Sequence, residues 1–226
     1  MIQLTFAAAF FVGIHFLIAG TRWRDRLITR YGERIYRGGF SILSLAGLVW
    51  LIYAYRQAPY IETWGQLQWF KPIAAFLMLI AFILAVAGVT TPNPTAVDGE
   101  PLLYEAEPAQ GMLRITRHPF LWGIALWAAV HLIANGDAAA LVLFGSFLIL
   151  TLGGTRSIDT KRQRQFGDRW AKFAAATSNI PFYAILERRN RLEWAEIGWW
   201  RIALALVLYF ALMHFHSSLF GVSPLF

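Results

Sequence analysis

Six apolar segments of membrane length restrict the fold of this chain more than any other feature of its sequence. A transmembrane helix needs about 20 mostly apolar residues, within a range of about 17 to 25. Of the 226 residues, 58% are hydrophobic and only 15% are charged, whereas about a quarter of a soluble domain is charged. We therefore predict an all-α, polytopic membrane bundle that forms one domain over residues 1–226. Its spans are expected at 2–20, 38–55, 72–90, 119–134, 138–154 and 199–220.

Lysine and arginine are gathered on one side of this predicted topology. All of the 20 basic residues except Arg56 and Lys71 fall in the loops of one side when six helices are threaded through the bilayer. Because positively charged loops stay in the cytoplasm, both termini are expected to face outward, which is the periplasm in a bacterium. The net charge of +7 is assigned to the inner membrane surface, and no nucleic-acid partner is expected.

A basic amphipathic helix is predicted in the cytoplasmic segment between the last two spans. The stretch KRQRQFGDRWAKF places Phe166, Trp170 and Phe173 on one helical face, with lysine and arginine around them. This pattern is typical of a helix that lies on the inner leaflet with its apolar face in lipid.

The ionisable side chains inside the predicted spans are histidines. His15 lies in the first span, His131 in the fourth, and His214 and His216 in the last, while His118 stands at the inner rim of the fourth. Ionisable residues within a membrane are functional candidates. The absence of a carboxylate deep in any span argues against a proton or ion pump. Neutral imidazoles suit iron or copper, and above all haem iron, which takes axial histidine. The chain has no cysteine, which excludes disulfides, iron–sulfur clusters and zinc–thiolate sites.

A histidine in a helical bundle is more commonly a packed hydrogen-bonding residue than a metal ligand, and this alternative applies to each of them. His214 and His216 are two positions apart, so they point to different sides of their helix. His15 and His131 stand apart from the others because no side chain within a helical turn is expected to satisfy either ring, which leaves only backbone carbonyls for this.

Three stretches of the chain resemble the NnrU family: HFLIAGTRWRDRLITRYGERIYRGGFSILSL, GMLRITRHPFLWGIALWAAVHLIANGD and FAAATSNIPFYAIL. This family is the bacterial relative of the plastid zeta-carotene isomerase, and the resemblance runs from His15 nearly to the end of the chain. It implies a multi-pass protein of the bacterial inner membrane. In the plant enzyme two histidines hold one haem b, and the reduced haem drives cis-to-trans isomerisation of a carotenoid. The bacterial branch is linked by its name to nitrite and nitric oxide respiration.

Carried over residue by residue, the resemblance puts the two metal ligands on His15 and His131. Arg117 and His118 at the rim are the expected cofactor-binding partners of the haem propionates. The depth of each histidine in the membrane predicts a different pair of ligands. This depth follows from the rise of a helix, which is 1.5 Å per residue. His15 lies about 10 Å from the inner end of its helix, whereas His131 and His216 lie about 18 Å and about 22 Å from theirs. His216 therefore challenges His15 as the second ligand.

Two other functions stay open. RHP at a helix start, followed by FGDRWAKF and NIPF, also resembles membrane methyltransferases of the isoprenylcysteine carboxyl type, in which an arginine–histidine pair and a downstream acid contact S-adenosylmethionine. Asp159 is the corresponding acid here, although its neighbours are not acidic. The third possibility is a non-catalytic factor that assists assembly of a respiratory reductase. Besides the bilayer, the expected partner is accordingly an apolar polyene, nitric oxide or a respiratory complex.

Overall fold

The computed structural model describes residues 1–225, and within them the chain is helical without a strand. The first helix, α1 (Ile2–Gly13), continues as a π-helical turn (Ile14–Ala19). The remaining helices are α2 (Arg22–Tyr31), α3 (Glu33–Arg56), α4 (Lys71–Thr90), α5 (Pro119–Asn135), α6 (Ala138–Phe166), α7 (Asp168–Ala176), α8 (Tyr183–Leu186), α9 (Trp194–Ile197) and α10 (Trp199–Phe220). Short 3-10 helices occupy Gln68–Phe70, Glu100–Tyr104 and Gly111–Arg114.

Each predicted span coincides with a helix, which confirms the all-α membrane bundle. Five helices in the described part of the chain are long and apolar enough to cross a membrane, namely Ile2–Ala19, Glu33–Arg56, Gln68–Thr90, Ala138–Phe166 and Trp199–Phe220. The sixth, α5, is apolar but has 17 residues, about 26 Å of helix. Two boundaries differ from the prediction, since α3 begins at Glu33 rather than at residue 38 and α6 continues to Phe166 rather than ending at residue 154.

The membrane helices pack in a serial order in which each touches the next. Contacts join α10 to α4, α4 to α5, α5 to α6, α6 to α1 and α1 to α3. Glycine permits the closest of these approaches. A Cβ added to Gly88 of α4 would lie 2.3 Å from the Phe120 nitrogen, and one on Gly123 of α5 would lie 2.8 Å from the Ala81 oxygen. Small residues at such positions let membrane helices pack backbone to backbone.

A tight turn between α5 and α6 confirms the hairpin expected from Asn135-Gly136-Asp137. Gly136 adopts the left-handed conformation (φ +61), and Asp137 caps α6 by accepting a hydrogen bond from the Ala140 amide at 3.0 Å. The loop after α3 closes over this turn, because the amides of Thr63 and Gly65 donate to the Gly136 carbonyl at 2.9 and 3.0 Å.

The basic amphipathic helix is present, but its predicted contact with lipid is wrong. Trp170 and Phe173 of α7 are only 2% and 1% exposed, and they pack against Leu103 and Leu113. Gly167 (φ +51) breaks the helix between α6 and α7. The apolar face of α7 is thus buried inside the protein, where the segment between α4 and α5 covers it.

Candidate functional site

His15 lies in the π-helical turn that follows α1, a kind of irregularity that is frequent at functional sites. Its Nδ1 is 2.7 Å from the Phe11 carbonyl oxygen. A carbonyl only accepts, so Nδ1 carries the proton and donates. Nε2 is left with its lone pair, and the Ser44 hydroxyl lies 3.3 Å away as its donor. Phe11 and Phe40 stand edge-on to the imidazole with ring centroids at 4.8 and 5.3 Å.

His131 lies near the end of α5 and is held in the same way. Its Nδ1 donates to the Trp127 carbonyl oxygen at 2.9 Å. The ring is packed between Trp127 and Phe144, whose ring centroids lie 5.2 and 5.0 Å away. The imidazole therefore sits in an aromatic pocket with a fixed tautomer and with Nε2 free of any bond to its own helix.

His214 and His216 diverge as predicted from their spacing. His214 is exposed, whereas His216 is half-buried and its Nδ1 donates to the Val222 carbonyl oxygen at 2.7 Å. The two histidines of α10 therefore differ in exposure and in bonding although they share one helix.

An aromatic ladder separates His15 from His131. Phe147 of α6 contacts Phe11 at 5.8 Å and Trp127 at 5.4 Å between ring centroids. His15 follows Phe11 by one turn toward the end of the first span that packs beside Ser157 of α6. His131 follows Trp127 by one turn toward the Gly136 turn at the other end of α6. Four residues of helix rise about 6 Å, so the two histidines lie at opposite ends of the ladder and on different levels.

The donor chemistry of these histidines fits an axial ligand. A metal-bound histidine almost always donates its other ring N–H to a carbonyl or carboxylate, which fixes the tautomer. His15, His131 and His216 each donate from Nδ1 to a backbone carbonyl. Among residues 1–225 no three histidine, aspartate or glutamate side chains gather as a metal site, but a haem takes only two protein ligands. The assignments of His15, His131 and His216 stay predictions.

A second polar group forms at the arginine-rich end of the bundle, where Arg117 and His118 meet Asp159 of α6. The His118 Nε2–H donates to Asp159 Oδ1 at 2.7 Å, and the Arg117 guanidinium donates to Oδ2 at 2.8 Å. His118 is 2% exposed and Arg117 is 9% exposed. His118 thus uses the opposite ring nitrogen from the intramembrane histidines, and it is bonded to a carboxylate rather than to its own helix.

The segment that follows α7 completes this cluster, which we call the rim clamp (Arg117, His118, Asp159, Thr177 and Asn179). The Arg117 guanidinium donates to the Thr177 hydroxyl at 3.3 Å, and the Asn179 amide donates to Asp159 at 3.4 Å. Two further bonds fasten the same segments together, because the Arg117 backbone amide donates to the Ser178 carbonyl at 2.9 Å and the Trp122 indole side chain donates to the Asn179 carbonyl at 2.8 Å.

The sequence predicts only part of the rim clamp. It indicates Asp159 as the downstream acid, but it does not identify Thr177 and Asn179 as members. The polar tripeptide TSN directly before an apolar IPF was the available signal. Arg117 and His118 remain predicted partners of a bound anion such as a propionate, and in this structure Asp159 is the anion that they hold.

Two curated plant proteins are similar to the chain. One is the chloroplastic 15-cis-zeta-carotene isomerase of Zea mays, 29% identical over 171 residues, which are 71% of this chain and 44% of that protein. The other is the protein of the same name from Arabidopsis thaliana, 32% identical over 82 residues, which are 36% of this chain and 22% of that protein. The matched regions span less than half the length of either relative. No solved structure matches the chain.

The family comparison covers far more of the chain than either plant relative does. The family model described as NnrU protein matches residues 3–224. Together with the membrane helices and the three resembling stretches, this match establishes that the chain belongs to the NnrU family.

Proposed function

We propose that this protein binds haem b in the membrane and isomerises a cis double bond of an apolar polyene. The reaction class is suggested by the plant relatives, whose names state that they act on 15-cis-zeta-carotene. The single observation that supports haem binding is the packing and hydrogen bonding of the His131 ring. Its ring is enclosed by Trp127 and Phe144, its Nδ1–H is held by a backbone carbonyl, and its Nε2 points away from that bond.

The residues that would hold the haem are His131 and one further histidine. The resemblance gives this role to His15, whereas depth within the span, taken from the helix rise, gives it to His216. When bound, haem would supply a one-electron redox centre. Cis–trans isomerisation leaves the composition and oxidation state of the polyene unchanged, so such a centre acts only as a catalyst.

The chain's own residues have three tasks in this proposal. The carbonyls of Phe11, Trp127 and Val222 hold the Nδ1 protons and so aim the Nε2 lone pairs. The aromatic rings around His131 exclude water, which controls the dielectric around a bound metal. An apolar polyene dissolved in the bilayer reaches the bundle sideways, because the outer faces of the membrane helices are apolar.

Absorption spectra of the detergent-purified protein test the cofactor and its ligands. Wild type, His15→Ala, His131→Ala and His216→Ala are compared in the oxidised and dithionite-reduced forms. His214→Ala serves as the matched control, because it removes an exposed histidine from the same helix as His216. We expect a sharp reduced b-type spectrum that is lost in His131→Ala and in one of the other two, and kept in His214→Ala. A featureless wild-type spectrum after addition of haem would overturn the proposal.

The reaction is tested separately with 15-cis-zeta-carotene in proteoliposomes, where the isomers are resolved by chromatography. Conversion by reduced wild type and none by His131→Ala is the expected result. If haem is bound but the polyene is not converted, addition of nitric oxide to the reduced protein tests the nitrogen-oxide alternative through its change of spectrum. If no haem is bound, titration with S-adenosylmethionine separates a methyltransferase from an assembly factor.

A further inference from the structure

A basic cavity of about 460 Å³ lies at the arginine-rich end of α1. Its lining consists of Gly20, Thr21, Arg22, Trp23, Arg26 and Arg164, and we call it the arginine cavity. It is formed where α1 turns into α2 beside the end of α6. None of its residues belongs to the rim clamp or to the aromatic ladder, so the functions considered above do not use it.

The fold holds the walls of this cavity in place. A Cβ added to Gly20 would lie 2.9 Å from the Ser157 hydroxyl and 2.8 Å from the Phe16 carbonyl oxygen, so the corner packs tightly on α6. The Thr21 hydroxyl donates to the Leu17 carbonyl at 2.6 Å and accepts from the Trp23 amide at 3.2 Å, which caps α2. Arg22 and Arg26 are four residues apart on α2 and hence share one face.

Within residues 1–225 the three arginines of the cavity form no ion pair. Most of the ion pairs there involve other arginines, such as Arg24, Arg37, Arg114 and Arg117. The Arg26 guanidinium instead lies over the Trp23 ring at 5.3 Å, which is a cation–π contact. Three guanidinium groups that line one concave surface without a carboxylate are complementary to a bound anion.

The position of the cavity identifies the source of that anion. The α1 span runs over Ile2–Ala19, so Gly20 and the residues after it stand at the level of the lipid headgroups. Trp23 is 59% exposed, as expected of an aromatic side chain at the membrane–water interface. One turn deeper in the span, Leu17 is 68% exposed and offers an apolar surface to an acyl chain.

We propose that the arginine cavity binds the phosphate-bearing headgroup of an anionic phospholipid. The phosphate lies among Arg22, Arg26 and Arg164, and an acyl chain follows α1 past Leu17. Basic pockets between membrane helices bind anionic headgroups by this chemistry. A bound lipid would join α2 to the end of α6 through its charge.

Native mass spectrometry of the full-length protein in detergent tests this site, with titration of palmitoyl-oleoyl-phosphatidylglycerol and of the phosphatidylcholine with the same chains. The variant Arg22→Gln/Arg26→Gln/Arg164→Gln is compared with Arg30→Gln/Arg34→Gln/Arg188→Gln. The control removes the same charge from exposed arginines that lie outside the cavity and have no carboxylate partner. We expect wild type to prefer phosphatidylglycerol, the cavity variant to lose at least tenfold in affinity, and the control to lose far less, because each arginine near the surface contributes about fivefold.

Two results would overturn the site. Equal losses in the cavity variant and the control would mean that lipid follows the overall basic charge of that side. Displacement of phosphatidylglycerol by millimolar inorganic phosphate, with no preference for the lipid, would mean that the cavity takes free phosphate instead. If the triple variant fails to fold, the single variant Arg164→Gln is measured instead, because Arg164 lies at the exposed end of α6. Its affinity for phosphatidylglycerol is expected to fall about fivefold.

Discussion

His118, the residue directly before α5, and Asp159 of α6 are joined by a hydrogen bond of 2.7 Å between Nε2 and Oδ1. The same carboxylate also receives the Arg117 guanidinium. One acid on α6 therefore holds the start of α5, and through Thr177 and Asn179 the segment after α7 is fastened to the same point.

Asp159→Asn is expected to lower the free energy of unfolding by about 2 kcal/mol. Asparagine keeps only one acceptor oxygen, so either the His118 ring or the Arg117 guanidinium loses its partner, and Arg117 stays charged in a buried position. The thermal midpoint of the detergent-solubilised protein measures the effect. Glu105→Gln is the matched control, since Glu105 is exposed and has no charged partner. A midpoint that does not move would show that the rim clamp contributes nothing to stability.

Glu196 gives the protein a dependence on acid pH. The Arg114 guanidinium donates to both Glu196 carboxylate oxygens at 2.7 Å. These bonds lower the pKa of Glu196 below its ordinary value of 4.5, burial partly opposes the shift, and the Gly111 amide adds to it. Because the folded pKa is depressed, the stabilisation is fully present above about pH 4.5 and is lost as the pH falls through the folded pKa.

Glu196→Gln is therefore expected to lower the thermal midpoint at pH 7, by the equivalent of about 1 kcal/mol, and to matter progressively less below pH 4.5. The measurement is the difference in midpoint between wild type and variant from pH 7 to pH 3.5. Glu105→Gln again provides the comparison, with no difference that depends on pH. A Glu196→Gln difference that stayed constant across this range would contradict the role of the ion pair.

Gly123→Ala is expected to destabilise the packing of α5 on α4 by about 2 kcal/mol, as overpacking of a tight contact does. The new Cβ would lie 2.8 Å from both the Ala81 oxygen and the Ala85 nitrogen, which are backbone atoms that cannot rotate away. At Gly145 of α6 the nearest atom to an added Cβ is a Leu132 methyl carbon at 3.9 Å. Gly145→Ala should be neutral or slightly stabilising, because alanine favours the helix. Equal thermal midpoints for the two variants would refute the close approach.

The membrane spans could be predicted from the sequence because hydropathy and length are properties of a segment by itself. The hairpin at Gly136 was predictable for a similar reason, since an Asn-Gly-Asp tripeptide between two apolar runs carries its own turn chemistry. The burial of Trp170 and Phe173 was not predictable in this way. An amphipathic pattern shows that one face is apolar, but lipid and a protein segment satisfy that face equally well.

The positions of the apolar helices, most of their boundaries and the histidines as the ionisable residues within the predicted spans were determined by the sequence alone, because each is set by local composition. The tertiary structure decided which side chains meet. It joined His118 and Arg117 to Asp159 and placed Phe147 between Phe11 and Trp127. These side-chain contacts depend on how each helix is rotated and on which helices lie beside it. Both are fixed by close packing between segments that are far apart in the chain.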